Sequence, residues 1–189
     1  MRKSPSQETE PRTAAQEAYD WLQILIIALV AIILVFTFVG RITPVAGSSM
    51  EPTLHSGDVM VVRDLGYTDP QPGDVVVLTK EFDAAEGPIV KRVIAVAGQT
   101  VEIDYDTDTV YVDGQPLDEP YLNEADLLEP WYPDITSVTV PEGSIFVMGD
   151  NRNHSNDSRD VTLGTVDIRY LLGKAELVCF PFSDLGVIQ

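Results

Sequence analysis

Ile89-Val90-Lys91-Arg92-Val93-Ile94-Ala95-Val96-Ala97 is a run of β-branched and small apolar residues interrupted by two adjacent cations. Similar short runs recur along the chain at 58–63, 74–79, 100–105, 109–112, 137–140, 144–148 and 173–180, with Gly, Pro and Asp between them. Strand-sized segments with regular turn punctuation predict an all-β domain. Past residue 43 no sustained helical period appears, although residues 123–128 could close one short turn. The segment 113–135 carries Pro116, Pro120, Pro130 and Pro133 and few β-branched residues. With the acidic hairpin before it, it reads as a small loop-rich excursion at about 100–137, too short to fold alone.

Upstream lies a different kind of sequence. In residues 21–40 the polar interruptions are Gln23 at the start and Thr37 near the end. Twenty residues in a helix span roughly 30 Å, the thickness of a bilayer core, so a retained transmembrane helix is expected. A cleaved signal peptide would have a shorter apolar core and a small-residue cut site; Ala46 or Gly47 could offer one. Residues 1–20, rich in Ser, Glu, Gln and Thr, read as a disordered tail. Arg2, Lys3 and Arg12 precede the helix while Arg41 stands alone after it, which favours a cytoplasmic N-terminus.

The formal net charge of −18 falls beyond the anchor, because up to Ile42 Arg2, Lys3, Arg12 and Arg41 balance Glu8, Glu10, Glu17 and Asp20. Such a domain repels phosphates, so nucleic acid is excluded as a partner, as is docking on anionic lipid through a basic patch. With Cys179 as its one cysteine the chain forms no intrachain disulfide, and the apolar surroundings of Cys179 suit a structural thiol.

Ser49, in Gly47-Ser48-Ser49-Met50-Glu51-Pro52-Thr53-Leu54, is nine positions beyond Gly40. An extended segment of that length spans at most about 30 Å, which keeps Ser49 close to the end of the expected membrane helix. A serine hydroxyl becomes a nucleophile when a base takes its proton. A lysine can serve if burial brings its pKa down from about 10.4 by about three, which corresponds to roughly 4 kcal/mol. Lys91 is better placed than Lys3, Lys80 or Lys174, since it alternates with Ile89 and Val93 on one strand face. A solvated lysine on an edge strand is the competing reading. A third polar cluster, Gly149-Asp150-Asn151-Arg152-Asn153-His154-Ser155-Asn156-Asp157-Ser158-Arg159, follows an apolar strand, as either a site or an ion-pair scaffold would.

Taken in order, these segments resemble the type I signal peptidases of the single-anchor, Gram-positive-like branch: membrane-anchored Ser–Lys endopeptidases that remove signal peptides from exported proteins. The resemblance rests on the anchor, Ser-Met-x-Pro-Thr-Leu at 49–54, Gly-Asp-Val-Val-Val at 73–77, Lys-Arg-Val at 91–93 and the 149–159 cluster. It implies a signal-peptidase-like β fold, Ser49 as nucleophile and Lys91 as general base. It further implies that Ser155 orients Lys91, and that Arg92 with Asp150 and Asp157 with Arg159 form structural pairs. The Ser49 N–H would help bind the oxyanion. Where some members carry a serine hydroxyl donor, this chain has Gly47. The implied substrate is an extended preprotein with small residues at the first and third positions before the cut, Ala-x-Ala-like, held by strand addition. Val45, Met50, Leu54 and Val90 would line its two pockets, although ordinary core packing suits the same side chains. No cofactor or metal is implied, and the enzyme would act as a monomer on the outer face of a plasma membrane.

Other readings remain at this point. His55 and His154 suggest a Ser–His pair, but where some relatives carry histidine as the base this chain has Lys91, so the histidines are discounted. Asp104-x-Asp106-x-Asp108 imitates a calcium loop but continues with Thr109 and Gln115 where Gly and Glu are needed, so an acidic hairpin turn fits better. The apolar stretch 178–182 is a candidate lipid-facing surface. A membrane-anchored β-domain that binds extended peptides without cutting them is the rival function. A self-cleaving Ser–Lys repressor is disfavoured by the anchor and by the lack of a basic DNA-binding segment.

Overall fold

The computed structural model describes residues 13–38, 40–80, 87–122, 128–130 and 135–188. Helix α1 runs Ala14–Phe38. It starts before the expected boundary at Trp21, and the reason is local. Thr13 Oγ1 accepts from the Gln16 N–H at 3.4 Å, and Gln16 Oε1 accepts from the Thr13 N–H at 2.9 Å. That reciprocal capping box fixes the helix start ahead of a run of good helix formers, Ala14 to Ala18. The helix is long and apolar enough to cross a membrane. The expected tail falls otherwise outside the described residues, and most of the short turn expected at 123–128 does too.

Residues 1–39 and 40–189 form two compact units. The second is all-β, with strands β1 (Arg41–Pro44), β2 (Val59–Arg63), β3 (Val75–Leu78), β4 (Ile89–Val96), β5 (Thr100–Asp104) and β6 (Thr109–Val112). Then follow β7 (Gln115–Pro116), β8 (Ser137–Thr139), β9 (Ser144–Met148), β10 (Val166–Asp167), β11 (Leu171–Phe180) and β12 (Gly186–Val187). The larger sheet has the order β1-β2-β11-β3-β4-β9-β10, with β12 paired to β11. Each long strand lies within a residue or two of its sequence-predicted run. The additional strands β1, β7, β10 and β12 are two to four residues long, too short for a period to show, and β1 and β7 end in Pro44 and Pro116 at sheet edges.

The excursion is more ordered than its prolines suggest. It forms a second sheet, β7-β6-β5-β8, whose hairpin pairs Asp104 with Thr109. At its tip Asp104 Oδ1 accepts from the Asp106 and Thr107 N–H groups, so the acidic triplet closes a turn. Its inner face buries Val101, Ile103 and Val110 against Ile94, Ala95, Phe146 and Met148 of the larger sheet. In β11, Val178 is buried whereas Phe180 and, beyond the strand, Phe182 are exposed and meet edge to face. Cys179 is half-buried with Sγ 3.2 Å from the Val59 carbonyl.

Candidate active site

The Ser49 segment connects β1 to β2 as a turn rather than a strand, and two side chains after the serine anchor it. Met50 and Leu54 are buried with Val45, Met60, Val62, Val75, Val77 and Ala175 in one cluster, each large apolar side chain contributing roughly 1.5–3 kcal/mol. The loop that follows β9 clamps the turn from the other side. Asn151 N–H donates to the Ser49 carbonyl at 3.0 Å, and Asn151 Nδ2 donates to the Ser48 carbonyl at 3.1 Å. Gly149 makes the approach feasible, because a Cβ there would lie 2.4 Å from the Ser49 carbonyl oxygen and 2.3 Å from Ser155 Oγ.

Lys91 stands in β4 opposite Val76 of β3, between Ile89 and Val93, and is 3% exposed. Its Nζ lies 2.6 Å from Ser49 Oγ and 3.0 Å from the Val90 carbonyl. Burial lowers its pKa from 10.5 to about 8; the negative charges of Asp157 and Asp150 oppose the fall and Arg159 adds to it. The difference corresponds to roughly 3 kcal/mol against the ammonium. A neutral amine with one N–H on the Val90 carbonyl can turn its lone pair toward the Ser49 hydroxyl, which is the geometry of a general base. The Ser49 backbone N–H has no acceptor among the described residues, so it is free to serve as an oxyanion donor. Gly47 has open space where a side chain would stand.

The two expected ion pairs form, both buried. Arg92 Nε and Nη2 grip Asp150 Oδ1 and Oδ2 at 2.8 and 2.7 Å, and Arg92 Nη1 donates to the Gly73 carbonyl at 2.9 Å. Arg159 Nε and Nη2 grip Asp157 at 2.8 and 3.0 Å. Burial alone would raise the Asp157 carboxyl, but the Arg159 charge and hydrogen bonds outweigh it and hold the carboxyl below its ordinary value. The expected bond from Ser155 to Lys91 does not form. Ser155 Oγ instead donates to Asp157 Oδ2 at 2.7 Å, since an ionised carboxylate is a stronger acceptor than an amine already shared between Ser49 and Val90. The Asp157 carboxylate that Ser155 contacts is itself one of the charges acting on Lys91.

Beside Ser49 and Lys91 opens a cleft of about 300 Å³ lined by Val45, Met50 and Val90 with Thr43, Pro44, Ala46, Val77 and Ile89. Leu54 is not part of that lining; it is fully buried in the cluster with Met50. Of the two histidines, His154 has Nδ1 3.1 Å from Asn151 Oδ1, and His55 sits in a turn where its backbone N–H donates to Asp58 Oδ2. His55, Asp58 and Asp184 bring ligand-type atoms within 4.8 Å of one another, but two of the three are exposed and Asp58 already accepts the His55 N–H at 2.8 Å.

Residues 18–180 match the family described as signal peptidase, peptidase S26. The chain belongs to this family. It is 38% identical to signal peptidase I of Mycobacterium tuberculosis (strain ATCC 25618 / H37Rv), over 95% of this chain and 79% of the relative. It is 39% identical to probable signal peptidase I-1 of Synechocystis sp., over 87% of this chain and 84% of that protein. With signal peptidase I of Bacillus licheniformis the identity is 37%, over 88% and 91%. Within the family's boxes, sequence reasoning missed several supporting residues. Thr53 Oγ1 donates to Asp150 Oδ2 at 2.5 Å, and Arg152, read as part of a polar loop, is fully buried against Glu119. Tyr121 lies with its ring 3.9 Å from the Arg92 guanidinium. The Pro-Thr-Leu of the Ser49 box contained the Thr53 signal; nothing local pointed to Glu119 or Tyr121.

Proposed function

We propose that this chain is a membrane-bound serine endopeptidase that removes N-terminal signal peptides from exported preproteins, with Ser49 as nucleophile and Lys91 as general base. The observation that carries the reading is the 2.6 Å approach of a buried Lys91 amine to the Ser49 hydroxyl. Ser49 Oγ attacks the scissile carbonyl carbon while its proton passes to Lys91 Nζ. The Ser49 N–H stabilises the oxyanion, and the new Lys91 ammonium then protonates the leaving amine. Water attacks the acyl-enzyme carbonyl while Lys91 takes its proton, and the Lys91 ammonium then returns a proton to Ser49 Oγ as the C–O bond breaks and the carboxylic product leaves.

The substrate lies extended along the apolar cleft, where small side chains at the first and third positions before the cut, Ala-x-Ala-like, fit against Val45, Met50 and Val90. Arg92–Asp150 and Asp157–Arg159 hold the last loop against the turn that carries Ser49. Helix α1 anchors the chain with its N-terminus in the cytoplasm and the β unit on the outer face of the plasma membrane, where it acts as a monomer. The test is incubation of the purified full chain in micelles with a preprotein, in wild-type and Ser49→Ala forms, with mass spectrometry locating the cut. Cleavage after a small residue by wild type alone supports the reading; cleavage by neither points to the peptide-binding module.

A further inference from the structure

We infer that Glu119 and Tyr121, which belong to the excursion between β7 and β8, are positioning residues for the Ser49–Lys91 pair and act through two buried arginines. The inference rests on the reading of Ser49 and Lys91 as nucleophile and base. One short turn, in which the Leu122 N–H donates to the Glu119 carbonyl at 3.1 Å, presents both side chains to the larger sheet. The Tyr121 ring lies 3.9 Å from the guanidinium carbon of Arg92, the residue directly after Lys91. Glu119 takes both terminal nitrogens of Arg152, with Nη1 to Oε2 at 3.1 Å. Arg152 Nε in turn donates to the Gly149 carbonyl at 3.1 Å. The Tyr121 hydroxyl joins the two halves by donating to Glu119 Oε1 at 2.9 Å.

Each arginine is one step from the chemistry. Arg92 fixes the β4 backbone that carries Lys91, and its carboxylate partner Asp150 also holds Thr53 of the Ser49 box. Arg152 fixes Gly149, whose N–H donates to Asp157 at 3.0 Å and where an added Cβ would lie 2.4 Å from the Ser49 carbonyl oxygen. A guanidinium over an aromatic face is held in one plane without a further carboxylate, so the ring orients Arg92 while adding no charge near Lys91. The excursion therefore braces both sides of the reacting pair from a segment that contributes no reacting atom.

The test uses the full chain in micelles, a preprotein substrate, and the variants Tyr121→Phe, Tyr121→Leu and Glu119→Gln, with Ser49→Ala as the blank. Leucine fills much of the ring's volume without its π face, and phenylalanine keeps the face. The expected results are a kcat about tenfold lower for Tyr121→Leu with KM unchanged, recovery to within about threefold in Tyr121→Phe, and an intermediate loss in Glu119→Gln. The rising limb of the kcat–pH profile should shift in Tyr121→Leu, because Asp150, the carboxylate partner of Arg92, is one of the charges acting on Lys91. Besides burial, the groups that set that limb are the charges of Asp157, Asp150 and Arg159 around Lys91, and none is replaced by the substitution. Melting by circular dichroism checks that each variant is folded. Equal kcat and equal profiles for folded Tyr121→Leu and Tyr121→Phe would overturn the inference. Failure of the wild type itself to cut would instead overturn the peptidase reading.

Discussion

Removing the Asp150 carboxylate is the sharpest perturbation of the scaffold. Asp150 and Arg92 are both essentially excluded from water, and the carboxylate accepts two bonds from the guanidinium, at 2.8 and 2.7 Å, and one from Thr53 at 2.5 Å. In Asp150→Ala the Arg92 charge loses both carboxylate bonds, while the Gly73 carbonyl, Thr53 Oγ1 at 3.4 Å and the Tyr121 ring remain among its partners. Breaking one side of a buried ion pair costs about 3–5 kcal/mol, a large share of the roughly 5–15 kcal/mol of a typical domain. At about 2–4 °C per kcal/mol for a chain of this size, Tm should fall by roughly 6–20 °C. The assay is urea unfolding of the full chain in micelles at constant pH, followed by β-sheet circular dichroism. The double variant Arg92→Met with Asp150→Leu separates the pair from the cavity, because it removes both charges and keeps apolar volume; its stability should stay within about 1 kcal/mol of wild type. A single Asp150→Ala loss under about 1 kcal/mol, with an unchanged urea slope, would refute the reasoning.

Three further outcomes are expected. Lys91→Arg should lose activity about 10²–10⁴-fold in the preprotein assay, because guanidinium cannot accept the Ser49 proton at working pH. Gly149→Ala should reduce both kcat and Tm, since its Cβ would sit 2.4 Å from the Ser49 carbonyl and 2.3 Å from Ser155 Oγ, and relief requires backbone movement at Ser49. Lys91→Met should be more stable than wild type at neutral pH. Lys91 binds its proton less tightly folded than unfolded, so the cost of the buried charge, roughly 3 kcal/mol, is fully present below pH 8 and is relieved as pH rises from about 8 to 10.5. Parallel melts across that range should show the variant's advantage shrinking.

The sequence carried more of the site than of its bracing. Lys91 was legible because alternation in a β-branched run put it beside Ile89 and Val93, and burial in β4 is what lowers its pKa. Both ion pairs lay inside quoted boxes, and they form. Ser155 was read with the wrong hydrogen-bond partner, because adjacency to a site does not say which of two nearby acceptors wins; the Asp157 carboxylate does. Glu119 and Tyr121 were invisible for a similar reason. Their partners lie 33 and 29 residues away in sequence (152 − 119 and 121 − 92), and only the folding of the excursion onto β4 and β9 brings them together. The early start of α1 is encoded in Thr13-Ala14-Ala15-Gln16 as a capping box, a signal separate from the apolar run that sets the length expected to cross a bilayer.

Selective ¹³C labelling of lysine in the full chain would follow the Lys91 side chain directly, with Lys91→Arg assigning its signal among those of Lys3, Lys80 and Lys174. A titration midpoint near 8, moving when Ser49 is replaced by alanine, is the result that a desolvated amine bonded to the serine hydroxyl requires. A midpoint near the unperturbed value of about 10.4, unmoved by that replacement, would mean that the nitrogen is solvated and far from the serine.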